Sequence, residues 1–313
     1  MLTKRPPGGE LETGMLIKTI LALAAGVVSV SFAAIFIRFC GDVPAVIIAT
    51  YRLTIASAIL LPYAAARGVR LRSLDRKTLF LGALAGLLLA LHFITWITSL
   101  KYTSVASSVV LVTTNPIFVG IFSWIFLREK QPRALLAGIA LSLAGSVTLA
   151  LGDSGFRGLM PYGPGALIGD ALALAGAVMA SGYLVVGSRM REKVDLLTHI
   201  SIVYPFAALF LLLASLASGH PFTGYHTSSY FFMFLLAVVP QLIGHTAFNW
   251  ALKHVRASMV AISILGEPIG ASILAYLFFG ELVGAWQFAG MVMIFAAILV
   301  AAPRGIKGAG EPL

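Results

Sequence analysis

A single cysteine, Cys40, stands in 313 residues, which excludes an internal disulfide and any cysteine-based metal cluster. Charge is scarce too: Asp, Glu, Lys and Arg make up 11% of the chain, against about 25% in an ordinary soluble domain. The sequence has no Gly-rich phosphate loop, no nucleophile elbow and no His or carboxylate set at metal-ligand spacing. No cofactor, no metal and no ATP-driven or covalent chemistry is therefore expected of the chain alone. The alternation of a membrane β-barrel, in segments of about ten residues, is also missing.

What is present is apolar length. Hydrophobic residues are 59% of the chain and the mean hydropathy is +0.96. The apolar runs are close to the ~20 residues an α-helix needs to cross roughly 30 Å of hydrocarbon. Ten such runs predict helices over 17–37, 44–64, 79–99, 104–126, 134–151, 166–187, 197–217, 229–250, 257–279 and 284–302. The expected fold is all-α and polytopic, in a cell membrane (plasma or inner), with the lipid bilayer as its medium.

The runs are not independent. Lys101, Pro116, Glu129 and Gly138 reappear 152 residues later as Lys253, Pro268, Glu281 and Gly290. The division that follows is a tail over 1–16, a five-helix repeat over 17–151, an external Gly/Pro-rich linker over 152–165, a second repeat over 166–302 and a tail over 303–313. The first 13 residues and the closing tail, polar and rich in Gly and Pro, are expected to be loose. Five helices are an odd number, so the second repeat enters the membrane upside down relative to the first. Inverted repeats of this kind are a recurrent plan of secondary transporters, with the site near the midplane between the halves.

Positive charge orients the bundle. Eighteen of the 22 Lys and Arg fall in the tails and even-numbered loops, three (Arg38, Lys101 and Arg157) fall on the other side, and Arg52 lies within the second helix. Basic loops stay cytoplasmic, which puts both termini in the cytoplasm. Topology thus accounts for the net charge of +10, and no nucleic-acid partner is implied.

Two helices carry proline at mid-length, in TTNPIF at 113–118 and GEPIG at 266–270. Each is followed 13 residues later by Glu, in LREK and FGEL, and then by a Gly-bearing helix. In these features the chain resembles the EamA-type drug/metabolite transporters over residues 17–302. The resemblance implies a ten-helix carrier, usually an exporter of amino acids, other metabolites or drugs, with a central cavity formed by both repeats.

The residues themselves mark candidates. Pro116 and Pro268 free the carbonyls of Val112 and Ile264, which must face protein, water or ligand; the prolines are read as hinges, against plain packing kinks. Asn115 and Glu267 precede them at the same depth. A carboxylate at mid-bilayer costs about 2.5 kcal/mol or more unless paired or protonated, so Glu267 is expected to face the interior, as proton carrier, counter-charge or structural hydrogen-bonder. Arg52, about 12 Å below the outer end of its helix, is read as a substrate or gate partner, against a snorkelling side chain.

Gln241, His245 and Asn249, spaced by four, form one polar stripe, and His92, Trp96 and Ser99 form another. Buried interhelical hydrogen bonds are the plainer reading of the two histidines. Tyr183 and Tyr204 are further candidates for the cavity wall, with Tyr51 and Trp250 as outside possibilities. Lys101 and Lys253 read as interfacial anchors. The glycine pairs Gly82/Gly86 and Gly266/Gly270 read as close-packing points.

These features favour a secondary carrier exporting small metabolites, most simply amino acids with apolar or aromatic side chains, by alternating access. A multidrug or organic-cation efflux carrier is the alternative. A membrane-embedded enzyme or lipid flippase is the third reading, and the missing catalytic motifs count against it.

Overall fold

The computed structural model describes residues 8–71, 74–99, 101–102, 108, 111–112, 114–158, 166–280 and 284–305. Glu281, residues 159–165 of the expected linker and residues 306–313 of the last tail lie outside this set, as does most of the expected 104–126 helix before Asn115.

Every described element is helical, with no β-strand among the described residues. The helices are α1 (Gly8–Phe39), α2 (Ala45–Ala66), α3 (Arg76–Ser99), α4 (Asn115–Phe126), α5 (Arg133–Gly158), α6 (Ala166–Arg191) and α7 (Leu196–Ser218). They are followed by α8 (Thr227–Leu236), a π-helical stretch (Ala237–His245), α9 (Thr246–Ala251), α10 (Ala257–Ile264), α11 (Glu267–Phe279) and α12 (Ala285–Gly305). Seven helical stretches among the described residues are long and apolar enough to cross a membrane, and three shorter apolar helices lie over 115–126, 133–145 and 288–300. This is a multi-pass membrane protein.

Local chemistry sets the ends. Asp195 caps α7, its carboxylate accepting from Thr198 N at 2.9 Å and from Thr198 Oγ1 at 2.7 Å. Gly219 ends the same helix in the left-handed region at φ 69°, where a side chain would be strained. Pro44 precedes α2, where its missing N–H costs nothing.

Three boundaries differ from the sequence reading. α1 begins at Gly8, inside the segment expected to be a loose tail, and α5 runs on to Gly158, into the expected linker. Neither extension contains a proline, so nothing in the backbone stops the helix there. The third difference concerns the prolines. The expected continuous helix over 257–279 is two helices, α10 and α11, separated by Leu265 and Gly266, with Pro268 in the first turn of α11. Pro116 likewise sits at the start of α4. A proline in the first turn of a helix loses no hydrogen bond, so each stands where a new helix begins and not at a bend within one.

Packing links the two halves crosswise. α5 packs against α12 and α2 against α7, while α1 lies along the π stretch and α11, and α6 lies along α3 and α4. Gly86 shows how close the approach is: a Cβ there would meet Ala207 N and Val203 O at 2.9 Å. Gly82 faces Ile202, Gly266 faces Val27 and Gly270 faces Ser31, so both glycine pairs are contact points.

Candidate functional site

A cavity of about 120 Å³ opens between the halves, large enough for a few waters or one small solute. α1 contributes Val30, Ala33 and Ala34 to its wall, α2 Arg52, and α3 His92, Phe93 and Trp96. The second half supplies Tyr183 and Leu184 from α6, His245 and Phe248 near the end of the π stretch, and Glu267, Pro268 and Ala271 from α11. The broken helices open onto it as well, through Val112 and Asn115 on one side and Ile264 and Leu265 on the other. Val112 and Ile264 are the two residues whose carbonyls a proline within a continuous helix would have freed; with each proline opening a new helix instead, both reach the cavity at the breaks.

Arg52 is 1% exposed. Its Nε donates to Gln241 Oε1 at 2.9 Å, and its guanidinium lies 4.2 Å over the Phe93 ring. A planar cation stacked on one face and tethered at one nitrogen keeps its remaining N–H groups for another acceptor. Glu267 lines the same cavity and feels the charge of Arg52, yet no ion pair joins them among the described residues. One guanidinium and one carboxyl group thus face the same small, mostly apolar space.

The histidines divide the work. His92 stacks on Trp96, ring centroids 5.9 Å apart and planes 5° from parallel, and its Nδ1 donates to Gly176 O at 3.0 Å. His245 is held by aromatic edges instead, with Phe93 at 5.5 Å, Tyr183 at 6.2 Å and Phe248 at 6.4 Å. Neither belongs to a metal-binding group among the described residues.

Three candidates lie behind the wall and not in it. Asn249, Gln241 and Tyr204 are fully buried. Asn249 Nδ2 donates to Tyr183 Oη at 2.6 Å, His199 Nε2 lies 3.2 Å from Asn249 Oδ1, and Tyr204 Oη lies 3.1 Å from Thr246 Oγ1. Arg191, counted with the loop cations in the sequence, is 3% exposed; its Nε donates to Asn249 O at 3.0 Å and its Nη1 to Val194 O at 2.6 Å. This network seals the end of the bundle where α6 gives way to α7. Farther out at that end, Ser258 Oγ donates to Gln131 Oε1 at 2.9 Å and Arg256 Nη1 to Lys130 O at 2.9 Å, tying the two halves together.

Two outside possibilities lie elsewhere. Tyr51 donates to Phe222 O at 2.8 Å in a separate aromatic cluster with Tyr230, and Trp250 packs on His254. Pro116 does not reach the cavity wall, whereas Pro268 does. The sequence reading missed Phe93 as the platform under Arg52, although the repeat spacing pairs Phe93 with His245. It also missed Arg191 and His199, for which polarity beside a loop gives no sign of burial. Lys101 and Lys253 are exposed at helix ends, as interfacial side chains would be.

An uncharacterized transporter of Clostridium kluyveri is 26% identical over 203 residues, a stretch covering 64% of this chain and 65% of that protein. Solute carrier family 35 member G1 of Homo sapiens is 24% identical, covering 88% of this chain and 76% of that protein. The pseudopaline exporter CntI of Pseudomonas aeruginosa is 24% identical, covering 95% and 98%. A solved crystal structure superposes with a TM-score of 0.76 at 20% identity, over 92% of this chain and 97% of the other, and shares the fold. The EamA-like transporter family matches residues 17–151 and again 167–302, so both halves carry its unit. With its duplicated helical halves around a shared cavity, the chain belongs to the EamA-like transporter family.

Proposed function

We propose that this transporter carries small metabolites, most simply amino acids with apolar or aromatic side chains, out of the cytoplasm, exposing the cavity alternately to the two faces of the membrane. The observation that carries the substrate reading is the unpaired Arg52 and Glu267 facing one apolar space. A zwitterion supplies both partners, its carboxylate to Arg52 and its ammonium to Glu267, and so offsets two buried charges at once. Phe93, Trp96 and Phe248 surround the remaining volume and suit an apolar side chain.

Ten membrane crossings in two inverted sets of five, with both termini cytoplasmic, are part of this reading. They are supported by the two family matches and by the bias of basic residues. In that orientation the end sealed by Arg191, Asn249 and His199 is cytoplasmic, and the cavity stands in an outward-facing state. Export is supported by the exporter among the relatives.

The test is counterflow in proteoliposomes loaded with unlabelled leucine or phenylalanine. Labelled amino acid should accumulate, and Arg52→Gln or Glu267→Gln should abolish the signal. Phenethylamine, which lacks the carboxylate, should compete poorly. Equal transport of phenethylamine and phenylalanine would overturn the role of Arg52 and favour an organic-cation carrier. No flux of either would remove the amino-acid reading.

A further inference from the structure

Two serines make the same unusual contact in opposite halves. Ser31 on α1 donates to its own helix at Val27 O, 2.8 Å, and also reaches Glu267 O on α11 at 3.3 Å. Ser181 on α6 donates to its own helix at Ala177 O, 2.6 Å, and also reaches Asn115 O on α4 at 3.0 Å. In each case the distant acceptor is the carbonyl of the residue just before the proline that opens the broken helix. In each case the serine stands on the first helix of one half and the acceptor in the other half.

We infer that Ser31 and Ser181 are paired pivots, the points at which each leading helix shifts against the opposite half's broken helix as the cavity changes face. The inference rests on the alternating-access reading above.

The chemistry suits a joint that has to release. A hydroxyl shared between two carbonyls keeps its bond to the i−4 carbonyl when the far one withdraws, so no unpaired polar group is left in an apolar setting. The contact is therefore cheap to make and cheap to break. Its position ties it to the site, because Asn115 and Glu267 both line the cavity. Gly270 gives the room: α1 presses so close that any Cβ there would collide with the Ser31 side chain.

The two contacts are not equal here, the Ser181 bond being shorter than the Ser31 bond. Exchange between the faces of an inverted-repeat carrier swaps the arrangements of its halves. The shorter contact then passes from Ser181 to Ser31. Removing Ser181 disfavours the present state, and removing Ser31 disfavours the opposite one.

The measurement is labelling by a membrane-impermeant maleimide of Ala271→Cys, on the cavity wall, in a Cys40→Ala background, from each side of sealed vesicles. Ser181→Ala should change the ratio of labelling from the two sides by about threefold, the size of an average hydrogen bond between membrane helices. Ser31→Ala should change it in the opposite sense, the double variant should return near the starting ratio, and Ser181→Thr should stay there. Alanine fits wherever serine does, so folding is preserved. Shifts in the same direction, or none, would overturn the pivots. Labelling needs no substrate, so a chain that changes faces without carrying leucine would defeat the amino-acid assignment and leave the pivots standing.

Discussion

Arg52 concentrates the energetics of the site in one side chain. A guanidinium taken fully out of water is tolerated because it stacks on Phe93, binds Gln241 and faces the carboxylate of Glu267. Lysine would keep the charge and lose the planar stacking and the Nε donor. Arg52→Lys is therefore expected to cost about 2 kcal/mol, the worth of a desolvated cation–π contact, read as a lower Tm in detergent. It should also slow leucine counterflow at least tenfold. Unchanged Tm and flux would show that the stacking carries nothing. The sequence marked Arg52, because an ionisable group within an apolar run is conspicuous in one dimension. Its platform was not marked, since Phe93 reads like any other phenylalanine until the fold brings it beneath the cation. The same limit applies to Asn249: its stripe was visible, but whether that stripe meets the cavity or the network behind it depends on how far α6 and α7 intrude.

At the scale of elements, the caps and breaks decide where side chains point. Asp195 holds the first turn of α7 at the sealed end, and its replacement by Ala should cost about 1 kcal/mol, as N-cap losses do, with Asn restoring most of it. Partial burial disfavours its charged form, but the hydrogen bonds from Thr198 N and Oγ1 outweigh this and hold the carboxyl below its usual range. A depressed folded value means that the cap's stability is present above about pH 4, the unfolded range, and is lost as pH falls through the lower folded value. Thermal melts of wild type and Asp195→Asn should therefore converge on acidification, and a constant gap down to low pH would contradict the cap. Helix breaks were half legible. Proline announced them, but which turn it opens depends on the residues ahead of it, Leu265 and Gly266 in the second half. The π stretch over Ala237–His245 was not legible at all. Pro240 lacks the N–H that an α-register would use, and its ring crowds the Leu236 carbonyl; the chain answers with wider turns that carry Gln241 to Arg52 and His245 to the cavity.

For the whole molecule, duplication was the strongest signal, because four residues at one spacing survive where overall similarity between the halves has faded. Arg52 and Tyr204 obey that spacing too, and both lie beside Gln241, one meeting its side chain and the other its backbone carbonyl. The serines do not obey it: Ser31 and Ser181 are 150 residues apart, two short of the main spacing, so the matched contact appears only in three dimensions. Orientation is testable at this scale. Reporters fused to the two ends should both be reached only from the cytoplasmic side of the cell membrane, and ends on different faces would refute the inverted plan. The crosswise packing also bears on synthesis. When the ribosome has finished the first five helices, the Asn115 carbonyl still lacks Ser181, and α1 still lacks both the π stretch and α11. The amino-terminal half must wait unfinished in the bilayer, its inner surface closed only when the second half has threaded in and been grasped from both sides.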